Sequence, residues 1–225
     1  MPAPGFPADN HKWSQLEAHY MTANRLAFLA PLILVACAAD LPTEARYDPL
    51  EHYEELKAST ILDAPDPVAG SFAPEHLYQV KRGEYLVELL GCGACHTDGA
   101  LEGAPEMKRS LAGSRVGIAY TNPLGDEYPG VIYPPNLTPD AETGLGLWND
   151  LQIEHAIRTG IGQHAGRRLV AMPWQGYRKM TQEDASAIVA YLRSIPAVRH
   201  KVPDEVTPGK KAKEPYIYFG VYRSR

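Results

Sequence analysis

The chain has 225 residues, with 22 Lys and Arg against 27 Asp and Glu, giving a formal net charge of −5. That length suits one domain with extensions, or at most two small domains, and the acidic balance gives no support to nucleic-acid binding. Its 20 prolines and 19 glycines point to long irregular loops, so the hydrophobic core is modest.

Residues 1–36 read as a signal-peptide region. Met1 to Tyr20 is polar, with His11, Trp13 and His19, and fits no part of a signal, so Met21 is expected to be the true start. From there a short basic stretch ending at Arg25 precedes the apolar run Leu26 to Val35. The run is too short, and too broken by proline, for the roughly 20 residues that a bilayer span needs. It ends in Leu34-Val35-Ala36-Cys37, which resembles the lipobox of bacterial lipoproteins. There the chain is cut before the cysteine, which is acylated; an ordinary secretory signal cleaved nearby and a buried apolar segment are the alternatives. Residues 37–74 are acidic and proline-rich, as in a tether between a membrane and a folded domain. Glu51 to Ser59 allows a short helix there, against a solvated linker.

A helix is expected over Glu75 to Leu90, with Pro74 near its first position and Val80, Gly83, Val87 and Leu90 on one face. Glycine at the middle of that face costs about 1 kcal/mol against alanine, which either a close helix crossing or a tolerant position accounts for. Next comes Cys92-Gly93-Ala94-Cys95-His96. C-x-x-C-H is the sequence at which haem c is attached. Residues i and i+3 share one helical face, so both thiols reach one haem edge, and His96 follows where its imidazole meets the iron. A zinc site needs four ligands, yet the only other cysteine is Cys37 and no H-x3–5-H pair occurs. A thioredoxin-like site needs βαβ surroundings, and a simple disulfide would not need His96.

Further helices are expected from an Asn149 cap, with Gln152 three residues on, to Gly160, and from a Thr181 cap to Ser194, stopped by Pro196. Ala185, Ile188, Leu192 and Ile195 form the apolar stripe of the last. A short strand is possible at Tyr216 to Tyr222. The loop between these helices offers the apolar island Leu169-Val170-Ala171-Met172-Pro173-Trp174, which makes Met172 the candidate sixth ligand. Met107 sits in a charged, exposed-looking stretch, and Met180 suits a hydrophobic staple before the Thr181 cap. His164 and His155 are the competing nitrogen ligands.

With these pieces in place the chain resembles a class I cytochrome c. More narrowly, Gly83-Glu84-Tyr85-Leu86-Val87, Pro135-Asn136-Leu137-Thr138-Pro139-Asp140, Thr143-Gly144-Leu145-Gly146 with Trp148, and Ala190-Tyr191-Leu192-Arg193-Ser194 resemble cytochrome subunits of bacterial membrane-bound quinoprotein or flavoprotein dehydrogenases. Those subunits commonly carry three haem domains, whereas a single C-x-x-C-H occurs here, and the stretch Tyr120 to Tyr133 is longer than usual. The resemblance implies an all-α class I fold over 75–198, a few helices with long loops around one covalent haem. It also implies a close crossing of the first and last helices with Gly83 facing the Leu192 stripe. A loop carbonyl, from Pro134 or Pro135, should accept the Nδ1–H of His96. The resemblance covers about Glu75 to Pro203, and residues 199–225 read as a basic tail that runs beyond it, solvated or docking through Lys210, Lys211 and Lys213.

The function these readings imply is one-electron transfer with no catalytic residues: Cys92 and Cys95 as thioethers, His96 and Met172 on the iron, and Cys37 as lipid anchor on the periplasmic side of a bacterial membrane. Partners would be a membrane-bound dehydrogenase or an oxidase. A haem sensor or peroxidase-like enzyme with a labile sixth ligand is the alternative; a diheme peroxidase would need a second C-x-x-C-H.

Overall fold

The first clear helix, α1, spans Pro74–Leu89, with proline in its first turn and Glu75 at its positive end. The computed structural model describes residues 47–54, 62–68, 70, 73–162 and 171–220. The signal region with Met21, Cys37, His164 and residues 221–225 lie outside the described residues. So does most of the short helix considered over Glu51 to Ser59, of which 51–54 is a turn and irregular chain.

Four more α-helices follow among the described residues: α2 (Cys92–His96), α3 (Asp150–Thr159), α4 (Trp174–Tyr177) and α5 (Gln182–Ser194). Capping decides where α3 and α5 begin. The Asn149 side chain accepts the Gln152 N–H at 2.9 Å while Gln152 reaches back to the Asn149 N–H at 2.8 Å. Thr181 accepts the Asp184 N–H at 3.1 Å. Gly160 closes α3 in the left-handed conformation, φ +67°.

The core lies where α1 crosses α5. Val80, Leu86 and Val87 meet Ile188, Tyr191 and Leu192, all nearly inaccessible to water. Gly83 permits the approach, as the resemblance implies, but it faces Ala187 and Tyr191 rather than Leu192. Arg82 pins the same crossing through Asp184 at 2.6 Å.

Among the described residues the regular elements are mostly helices, with a small sheet beside them, so the fold is not purely the all-α one expected. A small three-stranded sheet has the order β2-β1-β3, with β1 at Gly117–Ala119, β2 at Val131–Ile132 and β3 at Tyr216–Ile217. β1 runs antiparallel to β2, pairing Ile118 with Ile132, and parallel to β3, pairing Gly117 with Tyr216. The third strand begins at Tyr216, where a short strand was possible, and with its surroundings it replaces the solvated reading of the C-terminal segment by a docked one. Val202, Val206, Ala212 and Tyr216 pack on Ala119, Val131 and Tyr133, and Val131 exchanges backbone hydrogen bonds with Val206. Lys210, Lys211 and Lys213 stay exposed around this seam.

The end of the expected tether is also docked. Glu88 accepts the Ala64 N–H at 3.1 Å, Tyr191 donates to the Pro65 carbonyl at 2.6 Å, and the Val68 N–H is donated to Ser194 at 2.7 Å. Among the described residues no helix is long and apolar enough to cross a membrane.

Candidate haem-binding site

Gly91 has φ +68°, a left-handed turn that ends α1 and sends the chain directly into α2. The two cysteines of α2 pack against different clusters. Cys92 packs against the α1–α5 core, and Cys95 against the smaller cluster of Leu101, Val116 and Ile118 beside the sheet. Burial pushes the Cys92 thiol up to about 12 and raises that of Cys95. Both are therefore uncharged thiols at neutral pH, one helical turn apart.

His96 ends α2. Its Nδ1–H is donated to the Pro135 carbonyl at 2.8 Å, one of the two acceptors the resemblance implied. Burial lowers the imidazole pKa, and the Pro135 bond opposes that shift. With Nδ1 committed as donor, Nε2 keeps the lone pair of a neutral ring, the form that binds metal. The backbone holds the same geometry: the Gly113 N–H is donated to the His96 carbonyl at 2.8 Å and the Ser114 N–H to Pro134 at 3.0 Å. Gly113 has φ +87°, and a Cβ there would lie 2.6 Å from Val202 Cγ1 and 2.8 Å from the Asn136 nitrogen.

Met172 is half-buried at the start of α4, with its carbonyl accepting the Trp174 N–H at 2.8 Å. Its neighbour Ala171 packs against the same small cluster of Leu101, Val116 and Ile118 as Cys95 does. Met107 is 47% exposed on a short 3-10 helix, Met180 packs into the main core, and His155 is exposed on α3.

Four residues that pattern reading did not single out hold these parts together. Asn136, buried directly after Pro135, donates to Val198 at 2.7 Å and Thr143 at 3.0 Å and accepts from Thr138 at 2.9 Å and 2.8 Å. Tyr177 donates to the Leu90 carbonyl at 3.1 Å. Asp98, two residues past His96, accepts the Arg115 N–H at 2.8 Å and Arg109 Nη1 at 3.2 Å. Buried His200 donates Nδ1–H to Ala112 at 2.9 Å; its Nε2 lies 3.6 Å from the Asp98 carboxylate and makes no hydrogen bond among the described residues. Only Asn136 carried a sequence signal, as part of a quoted motif. The others join residues far apart in the chain.

Two half-buried thiols one turn apart, followed by a neutral imidazole with one nitrogen already committed, fit haem c. Residues 80–196 match the family model described as Cytochrome c. The chain is 33% identical over 137 residues to the fructose dehydrogenase cytochrome subunit of Gluconobacter japonicus, covering 61% of this chain and 25% of that protein. It is 36% identical over 112 residues to the cytochrome c subunit of the quinone alcohol dehydrogenase of Gluconacetobacter polyoxogenes, covering 50% and 21%. A diheme c-type cytochrome of Cereibacter sphaeroides is 25% identical over 138 residues, covering 61% and 40%. This chain thus spans a quarter or less of the length of the two dehydrogenase subunits. The family match takes in more than half of the 225 residues, the C-x-x-C-H turn among them, and this protein belongs to the cytochrome c family.

Proposed function

We propose that this protein is a one-electron carrier of class I type with a single covalent haem c, held at the periplasmic face of a bacterial membrane and serving a membrane-bound dehydrogenase or an oxidase. Export would use the signal region 1–36, read from Met21, with the mature chain acylated at Cys37 and tethered to a haem domain over about 75–198. The relatives support the partner class, since two of the three named above are cytochrome subunits of fructose and alcohol dehydrogenases.

The observation that carries the reading is the 2.8 Å bond from His96 Nδ1 to Pro135. It fixes the tautomer and the ring plane, leaving Nε2 for iron. Haem c supplies the one-electron couple when bound. Cys92 and Cys95 would hold it as thioethers, and His96 and Met172 would ligate its iron. A methionine opposite histidine raises the reduction potential and suits electron transfer. The chain's contribution is then ligation, burial and docking rather than bond chemistry.

A haem-stained gel and the ferric absorption spectrum of the exported protein test this directly. The stain should survive boiling in detergent, and the weak red sulfur-to-iron charge-transfer band should be present. In Met172→Ala the band should vanish while the stain remains. Rapid carbon monoxide binding to the ferrous wild-type protein would overturn the carrier in favour of a haem sensor. Cys37→Ser should move the protein from the membrane fraction to the soluble periplasm; unchanged partitioning would remove the lipid anchor.

A further inference from the structure

Helix α4 has four residues, too few to hold its shape unaided, and it begins two positions after Met172. Whatever fixes α4 therefore fixes the methionine. The Met172 carbonyl accepts the Trp174 N–H at 2.8 Å, and the Trp174 carbonyl accepts the Arg178 N–H at 2.8 Å. The Trp174 ring lies against the end of α3, where a Cβ on Gly160 would be 2.7 Å from its Cδ1. Met180, on the far side of α4, packs into the main core.

The remaining tie reaches the haem-attachment segment itself. Tyr177 donates its hydroxyl to the Leu90 carbonyl at 3.1 Å, across 87 positions of sequence. Leu90 is the residue after α1, and the chain turns away at Gly91 immediately afterwards. Carbonyls at a helix end have no partner within the helix, so this one takes a side-chain donor. Burial raises the Tyr177 hydroxyl above a phenol's ordinary pKa of about 10, so it remains a donor throughout the neutral range.

We infer that Tyr177 is a positioning residue for the sixth ligand, its hydroxyl latching the Met172 loop to the chain that leads into C-x-x-C-H and so governing how readily that axial position opens to a small ligand. The inference rests on the assignment of Met172 proposed above. Tyr191 provides a matched comparison, because it makes a hydrogen bond of the same kind to Pro65, at 2.6 Å, that ties the N-terminal segment to α5 and not the Met172 loop.

The test titrates imidazole into the ferric holoprotein and follows loss of the red charge-transfer band. Imidazole binds only the fraction from which methionine has left, so its apparent Kd reports that fraction. Loss of one neutral hydrogen bond should lower the apparent Kd of Tyr177→Phe by roughly three- to ten-fold, with haem stain and starting spectrum retained. Tyr191→Phe should keep the wild-type Kd while unfolding at lower denaturant. An unchanged Kd in Tyr177→Phe overturns the latch, and so does an equal fall in both variants, which would mean general loosening. A Tyr177→Phe protein that takes up no haem would assign the hydroxyl to folding instead. A wild-type protein without the red band overturns the Met172 assignment, and the latch falls with it.

Discussion

Gly83 lies so close to Ala187 that a Cβ at position 83 would fall inside the van der Waals envelope of the Ala187 carbonyl oxygen and 2.6 Å from Tyr191 Cβ. Both obstacles belong to α5, one of them to its backbone, so neither can rotate away. Gly83→Ala should therefore destabilise the holoprotein by about 3 kcal/mol or more, the upper end of overpacking costs, despite alanine's better helix propensity. Gly176 in α4 has nothing within 4 Å of an added Cβ, and Gly176→Ala should be neutral or slightly stabilising. Denaturant unfolding of the two variants separates a crossing constraint from a generic glycine effect.

The crossing also has an electrostatic component with a defined pH window. The Arg82 guanidinium holds the Asp184 carboxyl below its ordinary value, with help from Thr181. A depressed carboxylate contributes stability that is present above its unfolded pKa, about 3.9, and is lost as pH falls through the lower folded value. Asp184→Asn should thus be less stable than wild type at pH 6, and the gap should close on acidification below pH 4. Thermal unfolding at several pH values checks this; a gap that persists at pH 2 would assign the loss to helix capping geometry instead.

Local signals made the helices legible. Asn149, Gly160 and Thr181 act within a few residues of themselves, and each ends or starts a helix where it should. The C-x-x-C-H turn is equally local. Of the sheet only β3 was legible, as the short strand starting at Tyr216; β1 and β2 are too short to show alternation, and β1 takes β3 as a partner from far along the chain. The same reason explains the C-terminal segment: its lysines read as a basic run, while the apolar residues between them, Val202, Val206, Ala212 and Tyr216, are too sparse to show a period. Their burial depends on Val131 and Tyr133 being brought to them. Tyr177 and His200 follow the same rule, since their partners Leu90 and Ala112 lie 87 and 88 positions away in the chain.

Asn136 combines both kinds of information, and its substitution reaches the site. The side chain is 1% exposed and uses its amide as two donors and its carbonyl as an acceptor for Thr138. Asn136→Ala leaves the Thr138 N–H and the Val198 carbonyl short of partners, at about 1–3 kcal/mol for each unsatisfied group. Thr138 can turn its hydroxyl to Val198, which lies 3.2 Å away, so the cost should be about 2–4 kcal/mol rather than the full sum. Asn136→Asp keeps the shape and the acceptor but aims a carboxylate at two oxygens, so it should be at least as damaging at pH 7 and recover on acidification as the carboxyl gains a proton. Pro135 is the preceding residue, and its carbonyl is what orients His96. A looser Pro135 weakens the pull on the Nδ1 proton and makes the imidazole a poorer donor to ferric iron, which shifts the reduction potential upward. Redox titration of Asn136→Ala against wild type should show that rise, and an unchanged potential alongside the stability loss would mean that Asn136 supports the fold without tuning the histidine.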